Sequence, residues 1–450
     1  MSSWFARVLG RGEPASAPPK RDTAPERPRS SALPAGHAAS ASTVARPAAE
    51  APLPVARRPL IDRDGHLAGF EFPIPDLLAK RLAQGADETV VGAHLGALIA
   101  ATRPVADSGR VALVALPREV GAKALARPAL LAQLKNQWLV LDDAAFDDAE
   151  SQGLDALRAI GAVLGSAQPP RRGASFVRID AAGIDRAAAC AAIAACRGAA
   201  PRARIVASGL ADVDDVEAAL EAGADLATGH HDRQGAPRGA AVLPPAMARV
   251  TRLMNQVLQD ADLADIAAEL RSDVSLSYDL LRHANSPLLG LRCQVDAADQ
   301  AVMLLGRSGV YRWLCARLLA ALPGRVTARA LQEIALARAL LFERLADAIG
   351  APAPTLYTMG LLSLLDVMVP MPMAEALAPL SLPPEMRAAL VERCGPWAPL
   401  LALAACLERA DMAAATPLAQ AFGGLPAVLG ANEAAWQDAG DAAKLMWAGA

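Results

Sequence analysis

The sequence is poor in cysteine, and its cysteines do not stand where a metal or redox site would need them. The six cysteines of the 450 residues lie at positions 190, 196, 293, 315, 394 and 406. No two of them form a Cys-x-x-Cys pair, which argues against zinc ribbons and thioredoxin-like redox sites. Free thiols in a reducing compartment are the simplest interpretation, and we therefore predict a cytoplasmic protein.

Aromatic residues, a basic surplus and long apolar runs are also lacking. Aromatics make up 4% of the chain, whereas apolar residues, mostly Ala, Leu and Val, make up 53%, a composition that favours helices. The formal net charge of -3 argues against a general nucleic-acid binder, so we expect no nucleic-acid partner. The chain has no run of about 20 apolar residues, which a membrane-spanning helix would need. Its length suits two domains and a tail.

The N-terminal segment, residues 1–54, is predicted to be a disordered tail. Residues 13–54 are rich in Ala, Pro, Ser and Arg and show no periodic apolar face, so no packing would offset the entropy of ordering. A signal peptide has a long apolar core and a cleavage site. Residues 4–11, WFARVLGR, have neither. Two interpretations of residues 4–11 stay open: a short amphipathic anchor for a membrane or a partner, or a frayed terminus.

Residues 55–235 alternate between short apolar runs and helical stretches. The strand candidates are residues 55–61, 68–74, 111–116, 138–143, 175–180, 203–208 and 224–229. The first two are joined by Asp62-Arg63-Asp64-Gly65, which favours a hairpin. The others are mostly apolar and alternate with helices, which indicates a parallel sheet buried on both faces. Because the stretch is shorter than the ~250 residues of a full eight-fold barrel, we predict a shortened or incomplete TIM-type (β/α) barrel.

Residues 240–450 contain no strand candidate and form a predicted all-helical domain. Gly306, Gly350 and Gly395 stand where helices are expected to end. The apolar stretch Met368–Met373 has two interpretations, an exposed docking patch or part of the core.

One stretch of this half, residues 280–306, reads LLRHANSPLLGLRCQVDAADQAVMLLG. It resembles the signature of HDOD domains, an output module related to the HD-type metal phosphohydrolases. The residues that carry this resemblance, expected to have structural roles, are Asp273, His283, Asn285, Ser286 and Gly306. We predict that Asn285 adopts the left-handed turn that ends a helix.

A second stretch, residues 57–72, reads RRPLIDRDGHLAGFEF. It resembles the opening of EAL domains, the cyclic-di-GMP phosphodiesterase barrel. Together the two stretches resemble a two-domain EAL–HDOD protein, which implies a bacterial signalling protein with an α/β barrel followed by an HD-related helical domain. The resemblance implies roles in motility, chemotaxis or cyclic-di-GMP-linked regulation.

The chemistry of an EAL phosphodiesterase requires divalent metals that activate a water molecule, held by carboxylates and an Asn near a Lys. The positions that match this set by resemblance are Glu71, Asp142, Arg178 and Asp180, and Ala115 stands in place of the Asn. Arg178 replaces the Lys, and a guanidinium does not titrate in the useful range. We therefore predict no catalytic residues, no metal and no cofactor in this half.

Two other absences bear on ligands. Ile74 and Thr228 replace the arginine and glutamine that the resemblance implies for nucleotide binding, so cyclic-di-GMP is not expected as a ligand. An HD phosphohydrolase needs several histidines, yet residues 240–450 contain only His283, which we interpret as a cation near a helix C-terminus. His231-Asp232 spells an HD pair in a Gly-rich segment, and we interpret it as a loop pair.

The sequence thus predicts a non-catalytic signal-transduction or scaffold protein that acts through protein partners, its barrel and helical half held as one rigid unit. Two alternatives stay open. The first is a sensor that binds cyclic-di-GMP or another nucleotide without hydrolysis, and the second is an enzyme of an unexpected type.

Overall fold

The structure, a computed structural model, describes residues 55–74, 88–116, 134–141, 151–167, 170–171, 173–233, 245–286, 294–320 and 325–447. The predicted tail 1–54, with its patch 4–11, and the candidate site residue Asp142 lie outside the described residues.

Eight strands close into a barrel in chain order. Their bounds are β1 Arg58–Asp62, β2 Leu67–Phe72, β3 Val111–Ala115, β4 Trp138–Leu141, β5 Val163–Ala167, β6 Phe176–Asp180, β7 Arg204–Leu210 and β8 Leu226–Gly229. Strand β1 runs antiparallel to both β2 and β8, and the other neighbours pair in parallel. The hairpin is confirmed, with Gly65 at a φ of 75° in its turn.

All seven strand candidates are strands, and β5 is an eighth. The TIM-type fold class is therefore confirmed, and the barrel is short in sequence but complete in strand number. The central Gly165 of β5 leaves room for the Phe176 ring of β6, because a Cβ at residue 165 would overlap that ring.

A closely packed layer of side chains fills the middle of the barrel. It consists of Leu60, Leu113, Trp138, Val140, Phe176, Val206 and Leu226. The rings of Trp138 and Phe176 lie 5.0 Å apart across this layer. The barrel interior is therefore a solid core, and polar chemistry is confined to its ends.

Helices surround the barrel and build the second half. In the barrel half they are α1 Glu88–Asp107, α2 Ser151–Ala159, α3 Arg186–Ala199 and α4 Val213–Glu221. In the second half they are α5 Pro245–Leu258, α6 Leu263–Arg271, α7 Val274–Ala284, α8 Ala298–Ala320, α9 Ala328–Leu345, α10 Ala353–Leu362, α11 Leu365–Met368, α12 Met373–Ala376, α13 Pro384–Arg387, α14 Ala398–Arg409, α15 Met412–Ala419 and α16 Leu425–Trp447. The predicted all-helical character of residues 240–450 is confirmed for the described part of that range.

Apolar side chains of the second half are mostly internal. Met368, Val369, Met371 and Met373 are all buried, so the interpretation of this stretch as an exposed docking patch is wrong. The side chains pack into the main core because this stretch is folded between α11 and α12. Among the described residues, no single helix is both long and apolar enough to cross a membrane. The segments Met412–Phe422 and Leu425–Lys444 meet both criteria only as a pair, and the chain bends by 95° between them.

The helical half covers the outer face of β1 and β2, where the hairpin leaves the barrel without a helix of its own. The Phe70 ring of β2 meets Trp436 of α16 edge to face, with centroids 4.9 Å apart. The Gly65 carbonyl accepts a hydrogen bond from the Ala330 amide of α9 at 3.0 Å. One continuous hydrophobic cluster contains the outer barrel side chains and the helical core. The two halves therefore share a core.

Candidate active site at the barrel mouth

Strand geometry brings three of the predicted site residues, Glu71, Arg178 and Asp180, to the same end of the barrel. Arg178 and Asp180 follow Phe176 at two-residue intervals, so their side chains point to the same inner side of β6 as that ring. Glu71 lies near the end of β2 and pairs across the antiparallel ladder with Arg58 of β1. We call this end the barrel mouth.

Glu71 is the centre of a buried ion cluster at the mouth. Only 2% of its surface is exposed. Its Oε1 accepts a hydrogen bond from Arg178 Nε at 2.8 Å, and its Oε2 lies 3.6 Å from Arg58 Nη1. A buried carboxylate is stable as an anion only when it is paired, and here two guanidinium groups supply the pairing.

Arg178 is bound on two sides. Its Nη1 lies 3.5 Å from Oδ2 of Asp180, whose side chain is 61% exposed. Burial of the Arg178 guanidinium disfavours its charge, but the attraction and hydrogen bond of Glu71 outweigh burial and raise the pKa of Arg178. Because this guanidinium stays protonated, it is a fixed positive charge and not a proton carrier.

The rest of the described rim offers hydroxyls and methyl groups. Ala115 ends β3, in the place where the resemblance implies an Asn ligand. Ser208 and Thr228, each two residues beyond an interior side chain, are fully buried, and neither hydroxyl has a hydrogen-bond partner among the described residues. The described part of the mouth thus holds two carboxylates, Glu71 and Asp180, and both lie beside Arg178.

His231 and Asp232 lie beside the mouth, where the chain leaves β8, and both have structural partners. Carbonyl oxygens only accept, so His231 Nε2 donates to Pro59 O at 3.1 Å, which leaves Nδ1 buried without a partner among the described residues. Burial lowers the pKa of His231 to about 4. Asp232 forms an ion pair with Arg409 of α14. Asp232 thus fastens the helical half to the barrel, and His231 holds the same loop against β1.

A second buried ion pair lies within the helical half, between α9 and α14. Arg338 donates from Nε and Nη2 to the two oxygens of Glu408, both at 2.6 Å. Its Nη1 also donates to Ser363 Oγ at 3.1 Å. Desolvation opposes the charge on Arg338, but the carboxylate of Glu408 raises the pKa of Arg338 above its usual value. The sequence analysis missed this pair, since nothing local links residues 70 positions apart.

The residues of the HDOD-like signature have local structural roles. Asp273 is the N-cap of α7, and its Oδ1 accepts hydrogen bonds from the amides of Ser275 and Leu276, both at 3.0 Å. These amide hydrogen bonds, of which the one from Leu276 has the largest effect, lower the pKa of Asp273 although partial burial opposes them. Gly306 interrupts α8 with a φ of 64°, as expected for a helix stop, although a second helical segment follows directly.

Asn285 and His283 do not behave as predicted. Asn285 has a φ of -85°, so the predicted left-handed turn is wrong. Its side-chain amide instead pairs with the backbone of Val295, accepting from N and donating to O, both at 2.8 Å. Burial lowers the pKa of His283 to about 4, so it is neutral at pH 7 and the predicted helix-terminal cation is also wrong. The Ser286 hydroxyl has no partner among the described residues.

Sequence reasoning also missed Arg58 and Arg409, the two arginines that connect the mouth to the helical half. Arg58 Nε donates to the carbonyl oxygen of Arg409 at 3.0 Å. Arg58 lies inside the stretch 57–72 that was singled out, and a basic residue in an otherwise apolar strand was the available signal. Arg409 had no such signal because its partners are 351 and 177 residues away.

Comparison with known proteins supports the assignment of the second half. The family model of the HDOD domain matches residues 241–376. The uncharacterized protein YuxH of Bacillus subtilis (strain 168) is 28% identical over 160 residues, which are 35% of this chain and 39% of that protein. The chain therefore matches well under half of this relative's length.

Part of the chain aligns with solved EAL structures. The PaMucR phosphodiesterase, solved with c-di-GMP, is 17% identical and aligns over 39% of this chain and 92% of that chain, with a TM-score of 0.31. The Xanthomonas citri FimX EAL domain, also solved with c-di-GMP, is 14% identical over 39% and 84%, with a TM-score of 0.31. An EAL domain protein from Listeria monocytogenes EGD-e is 13% identical over 40% and 87%, with a TM-score of 0.31.

Proposed function

We propose that this chain, which carries an HDOD domain at residues 241–376 behind an EAL-like barrel, is a signal-transduction protein that acts by binding other proteins and not by hydrolysis. The observation that carries this proposal is the hydrogen bond of 2.8 Å between Arg178 and Glu71. It places a permanent cation on the carboxylate that a phosphodiesterase of this fold would use for a metal.

The ion cluster supports the loss of hydrolysis through charge. A divalent cation at the mouth would have to displace the Arg178 guanidinium from Glu71 or bind beside it against its positive charge. Arg58, on the other side of Glu71, adds a second positive charge. Asp180 is the other carboxylate of the described mouth, and it too lies beside Arg178.

The described part of the mouth also offers few groups that could transfer a proton. Arg178 does not release its proton near neutral pH, and Ala115, Ser208 and Thr228 offer no imidazole or amine. The imidazole of His231, beside the mouth, is buried and donates its Nε2 proton to the Pro59 carbonyl oxygen. Residues 240–450 contain a single histidine, His283. Its side chain is neutral, and the sequence of this half offers no second histidine that could bind a metal with it. The described residues of both halves thus form the folds without the reactive groups of the enzymes they resemble, which favours a role as binding surfaces.

The first experiment is an assay of cyclic-di-GMP hydrolysis by the purified full chain with Mg²⁺ and with Mn²⁺. We expect no linear dinucleotide product, and we expect the same for Arg178→Lys, which restores the lysine but not the missing ligand at residue 115. Turnover that rises with bound metal would overturn the proposal. Saturable binding of cyclic-di-GMP without turnover, abolished by Glu71→Ala, would instead support a nucleotide sensor.

The second experiment tests protein binding with a matched bait. Val274 and Tyr278 lie one turn apart on α7 and are 84% and 65% exposed, so their replacement by Ser leaves the core intact. Pull-downs from the native host compare the full chain with this double variant. A partner that is recovered by the full chain in stoichiometric amount supports the proposal, and loss of that partner in the variant would assign the contact to α7. Recovery of no specific partner by the well-expressed full chain would contradict the proposal.

A further inference from the structure

The guanidinium of Arg58 connects two sites that belong to different halves of the chain. Its Nη1 lies 3.6 Å from Oε2 of Glu71 in the barrel mouth, and its Nε donates to the carbonyl oxygen of Arg409 at 3.0 Å. Arg409 is the last residue of α14. A single side chain therefore contacts both the buried ion cluster and the C-terminal end of a helix in the other half.

The same helix end is also held from the far side. The Arg409 side chain forms an ion pair with Asp232, which follows β8 by three residues. Ala410 then closes α14 in the left-handed conformation, with a φ of 61°. The backbone of this turn is bonded locally, since the amides of Ala410 and Asp411 donate to Leu407 O at 3.1 Å and Cys406 O at 2.9 Å.

The contact continues into the helical core. Glu408, the residue before Arg409, is the partner of Arg338 in the buried pair between α9 and α14. A displacement of the end of α14 would strain this pair, because both oxygens of Glu408 are used at 2.6 Å. Polar contacts thus run without a gap from Arg178 through Glu71 and Arg58 to α14.

We infer that Arg58 couples the charge of Glu71, at the barrel mouth, to the stability of the C-terminal end of α14. Glu71 holds Arg58 in the orientation that presents Nε to Arg409, so neutralising Glu71, or drawing it away with a bound cation, loosens the end of α14. This inference goes beyond the proposed function, because it names the helix at which a change in the mouth is transmitted to the HDOD half.

The test measures backbone hydrogen exchange by mass spectrometry in peptides that cover residues 406–411 of the full chain. For Glu71→Gln we expect exchange in these peptides to rise about fivefold, the effect of weakening one charge-assisted hydrogen bond. Arg58→Gln is expected to give a similar rise, and the double variant no more than either single change, because both act on one contact.

Two controls separate coupling from general loosening. Asp180→Asn removes an exposed carboxylate of the mouth that does not contact Arg58, and it should leave the peptides of 406–411 unchanged. Ile193→Val creates a small defect in the buried core of α3, on the barrel but away from the mouth, and should also leave them unchanged.

Unchanged exchange at 406–411 in folded Glu71→Gln, or an equal rise in Ile193→Val, would overturn the inference. If Glu71→Gln does not fold, Arg58→Lys replaces it, since the ammonium keeps the charge beside Glu71 but lacks the second donor that reaches Arg409. It should give the same rise at 406–411, and no rise would overturn the inference. None of these outcomes depends on hydrolysis or on a protein partner, so they are independent of the proposed function.

Discussion

Arg178 and Glu71 lie 107 residues apart in the sequence and form a hydrogen bond of 2.8 Å between Nε and Oε1 at the barrel mouth. The pair joins β6 to β2 across the interior of the barrel. Its carboxylate is almost fully buried, so the pair stabilises the mouth only while both members are present.

We expect Arg178→Ala to lower the free energy of unfolding by about 2–4 kcal/mol, because it leaves Glu71 buried with one weaker partner. Urea denaturation followed by circular dichroism measures the change. The double variant Arg178→Ala, Glu71→Ala should recover part of the loss, since it removes the unpaired charge. A single variant as stable as the wild type would show that solvent, and not Arg178, compensates Glu71.

The stability of the fold should fall as the pH drops below about 6.5, because His231 is buried as a neutral side chain with a pKa of about 4. Its folded-state pKa is depressed, so the unfolded chain binds the proton first as the pH falls. The contribution of His231 to the stability of the folded state therefore decreases between about pH 6.5 and pH 4, by roughly 3 kcal/mol in total. His231→Gln should remove about half of the pH dependence in that interval, because burial also lowers the pKa of His283 to about 4 and that side chain contributes the other half. The control, His66→Gln, changes a half-exposed histidine at the far hairpin, and an equal flattening there would contradict the assignment.

The buried pair between Arg338 and Glu408 gives a third prediction. Glu408→Ala should destabilise the chain by about 3–5 kcal/mol, because it leaves a guanidinium buried without its counter-ion. Replacement of both residues by apolar ones, Arg338→Met with Glu408→Leu, should restore most of that loss. Thermal unfolding of the wild type and the two variants measures the effect, and a double variant as unstable as the single one would contradict it.

A fourth prediction concerns the contact between Phe70 and Trp436. Phe70→Ala should lower the free energy of unfolding by about 3–5 kcal/mol, because the ring is buried between the barrel and α16. Ile184→Ala, at a side chain that is 42% exposed on the barrel, should change it by less than about 0.5 kcal/mol. Chemical denaturation checks both, and a small effect of Phe70→Ala would mean that the ring repacks without the helical half.

The signature residue Asn285 provides a fifth prediction. Asn285→Ala should lower the free energy of unfolding by about 1–2 kcal/mol, since it removes two hydrogen bonds to the Val295 backbone. Asn285→Asp should give a free energy of unfolding between those of the wild type and Asn285→Ala, because it keeps the acceptor. Ser286→Ala should be nearly neutral, as that hydroxyl has no partner among the described residues. Urea titrations compare the three, and equal effects of Asn285→Ala and Ser286→Ala would refute the role given to the amide.

The strands and most helices follow from patterns that the sequence carries locally. The seven strand candidates are apolar runs bounded by turns, and Asp262 and Asp273 stand directly before helices as caps. Strand β5 escaped prediction because its centre is Gly165, a residue unfavourable in isolated strands. Only the neighbouring Phe176 ring explains it, and that contact is visible only in three dimensions.

The candidate site was predictable in its residues but not in its connections. Glu71, Arg178 and Asp180 are matched positions, and the strand order brings them together as expected for the ends of parallel strands. The contact of Glu71 with Arg58 leads on to Arg409, and that step joins residues 351 positions apart in the sequence. The turn at Asn285 was mispredicted for a similar reason, since its amide bonds to Val295 beyond the helix end.

Helices α9 and α16 cover the outer face of β1 and β2. This contact limits which other domains could replace the helical half beside this barrel. A boundary drawn between residues 235 and 240 looks like a clean linker in the sequence, yet a cut there would expose Phe70 and Phe72 to water and strip Trp436 of its neighbour. A substitute output module would have to bring its own matching helices. The contact therefore stays buried only while both halves are present in one chain.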